Sequence, residues 1–212
     1  MGFLLTIVAL LFSVVIHEYA HGWVASKRGD STARLAGRLT LNPLKHIDPI
    51  GTILVPLMLR LMNLSPLGWA KPVPVNFANL INPRRDMILV AAAGPAINIL
   101  AALVFSLLLK SEALFNFLVN IKFGGVVLVF FIYAIYINLI LAVFNLIPIP
   151  PLDGSRIVLG ILPNSLARIY RQIEPFGFVF LIVLLNWGFF DFIDKITSFL
   201  FAGLKLPVNL PS

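Results

Sequence analysis

His17, Glu18 and His21 form an HExxH motif. Residues four apart on a helix lie about 40° from one another, so both imidazoles project from one face and can converge on a single cation, with Glu18 beside them. That is the layout of a zinc hydrolase. The motif sits in the run Phe3 to Val24, which is otherwise apolar apart from a few hydroxyls and glycines. An ionisable group at membrane depth costs at least ~2.5–3.5 kcal/mol near a helix centre. A chance match is the competing reading, but two of the chain's three histidines and one of its three glutamates fall in this one turn.

A catalytic zinc site uses three protein ligands and keeps one position open. The chain has no cysteine, so the ligands must be histidine and carboxylate. The candidates for the third are Asp30, Asp48, Asp86, Glu112, Asp153, Glu174, Asp191, Asp194 and His46. Position removes most of them. Glu112, Asp191 and Asp194 belong near the face opposite the motif, and Asp30, Asp48 and Asp86 lie in charge-rich flanking loops. Asp153 follows Pro148, Pro150 and Pro151, which cannot continue a helix, and Gly154 is expected to free the backbone so that the carboxylate can point inward. An N-cap on a helix starting near residue 155 is the alternative role. Glu18 projects to one side of the ligand pair, where it can take a proton from an activated water and return it to a leaving nitrogen. Asn145, shortly before Asp153, is a candidate donor to a developing oxyanion.

These residues need a membrane around them. With 212 residues, 59% hydrophobic and 12% charged, the composition is that of an integral membrane protein. Four segments are long enough, or nearly so, to cross ~30 Å of hydrocarbon: 3–25, 86–109, 124–147 and 175–203. A fifth, 50–64, would reach only ~22 Å and contains Pro56 and Arg60, so it reads as re-entrant or interfacial. The chain is therefore expected to be one all-α polytopic membrane domain, 1–212. The first run lacks a basic leader and exceeds a signal-peptide core in length, so it is expected to be retained.

The net charge of +7 is spread over loops flanking apolar runs and does not indicate nucleic acid. Loop 26–85 carries Lys27, Arg28, Arg34, Arg38, Lys45, Lys71, Arg84 and Arg85, and 148–174 adds Arg156, Arg168 and Arg171. The other side has Lys110, Lys122, Lys195 and Lys205. The positive-inside rule then places the first group, and the HExxH turn, toward the cytoplasm. Partial alternation from Ala33 to Leu41 suggests a short strand or β-hairpin, or else an irregular loop. The stretch Ala91 to Asn98 reads as a close-packing surface in which Asn98 can hydrogen-bond across helices and Gly94 and Pro95 serve packing.

Taken together, these motifs resemble the site-2 proteases, intramembrane zinc metallopeptidases of regulated intramembrane proteolysis. The resemblance rests on His17-Glu18-Tyr19-Ala20-His21, Gly94-Pro95-Ala96-Ile97-Asn98 and the segment Asn145 to Gly154, with Gly37 to Pro43 and His46 to Gly51 suggesting the compact prokaryotic branch without a PDZ or CBS domain. It implies that His17, His21 and Asp153 bind one Zn2+, that Glu18 is the general base, and that Asn145 helps hold substrate. It also implies a membrane-embedded β-hairpin between the first two core helices. Single-span membrane proteins in the bilayer are the implied substrates, and an edge near Leu39 and Leu41 could pair with an unwound substrate. The competing functions are a catalytically silent helix-binding protein of the same fold, a divalent-cation carrier, and a membrane zincin with a glutamate as third ligand.

Overall fold

The computed structural model describes residues 2–55, 58, 61, 62 and 70–207. Helix α1, Gly2–Lys27, is about 39 Å long at ~1.5 Å per residue and ends on a lysine, as the helix dipole favours. Gly29 then adopts φ +105°, turning the chain out of the helix in a conformation that disfavours other residues. A short helix α2 covers Thr32–Leu35. Helix α3, Pro83–Lys110, opens on a proline, whose missing N–H is no loss in a first turn. After the short α4, Glu112–Val119, helix α5 runs from Gly124 to Asn145. Helix α6, Asp153–Ile161, follows the proline-rich break.

The fourth apolar segment, Asn164–Gly203, is composite. It consists of α7, Asn164–Ile173, α8, Gly177–Leu184, and α9, Phe190–Gly203, bent at Glu174–Phe176 and at Gly188, whose φ is +84°. Together with 4–27, 83–110 and 124–145 it makes, among the described residues, four helical segments long and apolar enough to span a bilayer, and the chain is a multi-pass membrane protein.

Helix α3 packs against α1, α5 and α6. Ala9 of α1 and Ala134 of α5 are fully buried, so small side chains bring these backbones close. Apolar clusters form the core, one around Ile135, Leu109 and Phe201 and another around Leu181, Leu152 and Ile193. A polar seam of Ser13, Asn98 and Asn138, all with no exposed surface, links α1, α3 and α5. Asn98 Nδ2 donates to the Ser13 carbonyl at 3.2 Å and to Asn138 Oδ1 at 2.6 Å, while Asn138 Nδ2 donates to Ser13 Oγ at 2.7 Å. Three helices are thus held in one register by groups that have no water to turn to.

The expected β-hairpin is absent: no strand occurs among the described residues. The physical reason lies in where the backbone donors of 35–38 go. Leu35, Ala36, Gly37 and Arg38 donate to the carbonyls of Ser31, Thr32, Arg34 and Ala33, a helical turn that leaves no ladder to form. Gly37, at φ +63°, closes that turn. Asp30 nucleates it. Its carboxylate accepts from Thr32 N at 3.1 Å, Thr32 Oγ1 at 2.5 Å, Asn76 N at 2.8 Å and Asn79 Nδ2 at 3.1 Å, tying the chain ahead of α3 to the end of α1. Burial alone would raise the Asp30 pKa, but these donors outweigh it and hold it below the usual carboxylate range. In the segment 50–64, Pro49–Leu54 forms a helical turn, and the reading of its remainder, Pro56 and Arg60 included, falls largely outside the described residues.

Candidate metal centre

His17 and His21 occupy successive turns of α1, with ring centroids 4.6 Å apart. Both are buried. The chain between α5 and α6 brings Asp153 to the same point from the other end of the sequence. Its Oδ2 lies 3.1 Å from Nε2 of His17 and 3.2 Å from Nε2 of His21, and the two Nε2 atoms are 3.0 Å apart.

The outer ring nitrogens decide what that triangle is. Asn98 uses its amide nitrogen toward Ser13 and Asn138, so its Oδ1, 2.5 Å from His17 Nδ1, must accept. His21 Nδ1 donates to the Val90 carbonyl at 2.7 Å. With both Nδ1 atoms engaged outward, each ring turns its Nε2 inward, and the two nitrogens and a carboxylate oxygen converge. Asp153 Oδ2 is buried, with the two imidazoles as its charged or polar neighbours. At this spacing the three atoms cannot all turn lone pairs on one another, so positive charge, a metal ion or ring protons, must lie among them. Ligand–ligand separations around a tetrahedral zinc with ~2.0–2.1 Å bonds are about 3.3–3.4 Å, close to those seen here. His17, His21 and Asp153 also form the one His/Asp/Glu group with metal-ligand spacing among the described residues. The outer hydrogen bonds that the two rings donate to Asn98 and Val90 are of the kind that orients metal-bound imidazoles.

The surrounding glycines explain why this fits. A Cβ on Gly94 would stand 2.5 Å from His17 Cε1 and from His21 Nε2, so α3 can pass the rings only with hydrogen at that position. Its role is therefore packing, but packing against the two histidines. A Cβ on Gly154 would collide with the carbonyls of Leu146 and Ile147. Close approach rather than conformational freedom is what Gly154 supplies. Asp153 opens α6, yet Leu152 holds the N-cap position and no side chain caps the helix, which leaves the Asp153 carboxylate to the histidines. Arg84 of α3 fastens the other end of α6, donating from Nε to the Gly160 carbonyl at 2.8 Å and from Nη2 to that of Leu162.

A cavity of about 570 Å³ opens beside the triangle, with His17, Glu18, Asn145 and Asp153 in its wall and apolar surfaces from Val14, Leu141, Phe144 and Phe178. That size is typical of a small-ligand or peptide site. Glu18 Oε2 accepts from the Val73 amide at 2.7 Å. Asn145 donates from Nδ2 to the Leu141 carbonyl at 2.9 Å. Leu39 and Leu41 do not line the cavity. Leu39 lies against α1 near Gly22, and Leu41 is exposed. The sequence reading passed over Asn138, although a single asparagine in so apolar a helix is a signal, and Val73, whose contribution comes from backbone and leaves no signal.

The family model described as peptidase family M50 matches residues 119–185. The "Putative zinc metalloprotease YwhC" of Bacillus subtilis (strain 168) is 40% identical over 178 residues, covering 84% of this chain and 78% of that protein. Rip2 of Mycobacterium tuberculosis (strain ATCC 25618 / H37Rv), described in the same terms, is 31% identical over 194 residues, 89% of this chain and 71% of Rip2. Rip2 of Mycolicibacterium smegmatis (strain ATCC 700084 / mc(2)155) is 29% identical over 216 residues, 96% of this chain and 80% of its own. No solved structure matches. These matches and the four spanning helices define a zinc metalloprotease of the membrane. The chain belongs to peptidase family M50, the site-2 proteases.

Proposed function

We propose that the protein hydrolyses peptide bonds of single-span membrane proteins within the bilayer, in regulated intramembrane proteolysis, with the 212 residues acting as one catalytic domain. His17, His21 and Asp153 hold one zinc ion per chain, Glu18 is the general base and acid, and Asn145 binds substrate. The observation that carries this reading is the convergence of two imidazole Nε2 atoms and a buried carboxylate oxygen at 3.0–3.2 Å, next to a cavity that also contains Glu18.

When bound, the zinc supplies a Lewis acid that acidifies a water and polarises the scissile carbonyl. The chain's own residues do the rest. Glu18 sits on the cavity wall beside the ligands without joining them, free to accept a proton through one carboxylate oxygen and to deliver it to the leaving nitrogen. Asn145 is anchored to its own helix through Nδ2, which leaves Oδ1 to accept from a substrate N–H. The apolar walls from Val14, Leu141, Phe144 and Phe178 exclude bulk water and suit an apolar substrate segment. A transmembrane helix shields its peptide bonds with internal hydrogen bonds and must unwind before it can use this site. The excess of lysine and arginine in 26–85 and 148–174 supports a cytoplasmic position for the centre.

The test is cleavage by the detergent-purified protein against a panel of single-span substrates, with Glu18→Gln as comparison. The variant should keep its metal and lose cleavage, since the amide preserves size but cannot take a proton. Substantial cleavage by Glu18→Gln would remove Glu18 from the role of base.

A further inference from the structure

Glu18 does not stand alone. Its Oε2 is held at 2.7 Å by the N–H of Val73, which reaches α1 from the extended stretch ahead of α3. Val73 lies between Pro72 and Pro74, so it carries the one backbone donor in that tripeptide, and both prolines restrict the backbone around it. Its side chain is buried, and its Cγ1 packs where a Cβ on Gly22 would come within 2.8 Å. The stretch is fixed from outside as well. Arg38, largely buried, donates from Nη2 to the carbonyls of Lys71 at 2.7 Å and Pro72 at 3.4 Å. The Lys71 amide donates to the His46 carbonyl at 2.8 Å, and the buried His46 ring bonds the Thr40 carbonyl through Nε2 at 2.8 Å.

We propose that the Val73 amide is a positioning group for Glu18, and that Arg38 and His46 are positioning residues that hold the Pro72-Val73-Pro74 segment in place. A glutamate on a helix has three rotatable side-chain bonds and, without a partner, samples several rotamers. One charge-assisted hydrogen bond to Oε2 fixes the carboxylate plane and leaves Oε1 for the proton that is transferred. A rigid, proline-flanked donor does this without presenting a second N–H that would compete for Oε1. Alteration of such an outer contact typically lowers activity about 10–100-fold. The proposal rests on the reading of Glu18 as the base, and the experiments separate the two.

Hydrogen exchange followed by NMR at the Val73 amide of 15N-labelled protein reads the contact directly. That amide should be protected in the wild-type protein and exchange at least ten times faster in Glu18→Ala. Equal exchange in the two proteins overturns the positioning contact and leaves the role of Glu18 as base untouched. For function, Val73→Pro removes the donor while suiting an extended, proline-flanked backbone. It should retain zinc and KM while kcat falls about 10–100-fold, and Val73→Ala, which keeps the N–H, should lose far less. An undiminished kcat in Val73→Pro, or an equal loss in Val73→Ala, overturns the proposal. Should Val73→Pro fail to fold or to hold zinc, Arg38→Gln decides: a lowered kcat with zinc and KM retained supports the clamp, and a wild-type kcat overturns it.

Discussion

Nδ1 of His17 and Oδ1 of Asn98 lie 2.5 Å apart, so the imidazole that faces Asp153 is oriented from the neighbouring helix α3. Removing that acceptor leaves a buried ring N–H unpaired and frees the ring to turn. Asn98→Ala should weaken zinc binding about 10–100-fold, measured by competition with a chelator. Asn138→Leu should act more mildly on zinc. Its main effect should be a loss of stability of about 1–3 kcal/mol as Asn98 loses its amide partner.

Gly94→Ala places a methyl against the His17 and His21 rings, whereas Gly125, with nothing within 4 Å of its added Cβ, has room for one. Gly94→Ala should lose most of its zinc at stoichiometric metal, and Gly125→Ala should keep it and gain up to about 1 kcal/mol of stability. Metal content and thermal unfolding of the two variants check this pair.

The motif itself was legible because HExxH is local: both histidines and the glutamate lie on one helix, and the helical repeat alone sets their geometry. Asp153 was legible because three prolines mark where a helix stops at the matching depth. What was not legible is non-local or belongs to backbone. Asn98 could be seen as a polar group in a packing surface, but its choice of His17 depends on how α1 and α3 pass one another. The Val73 amide carries no side-chain signature at all. The hairpin expected over 33–41 failed because alternation over so few residues is a weak signal. The aspartate before it, Asp30, binds Thr32 and starts a helical turn instead.

The buried Asp30 carboxylate has a native pKa below its unfolded value of ~3.9, because Thr32, Asn79 and Asn76 donate to its ionised form more than burial disfavours it. Its stabilisation is therefore complete above about pH 4 and is lost as pH falls through the lower native value. Asp30→Asn should be less stable than wild type at pH 7, and the gap should narrow on acidification below pH 4. A gap that stays constant across that range would contradict this account.

The absence of cysteine makes topology directly measurable, since each introduced thiol is unique. Arg34→Cys and Arg168→Cys, both at exposed positions, should label from the cytoplasmic side, and Glu112→Cys, also exposed, from the opposite side. Labelling of the first two from the outside would reverse the orientation. Asp30, though near Arg34, is fully buried and unsuited to such a label.

The central claim is that His17, His21 and Asp153 hold a single catalytic zinc, and metal analysis of the purified protein tests it most directly. Wild type should contain one zinc per chain, and His21→Ala and Asp153→Ala, each with the fold verified by circular dichroism, should contain little or none. Unchanged zinc in both variants would contradict the assignment.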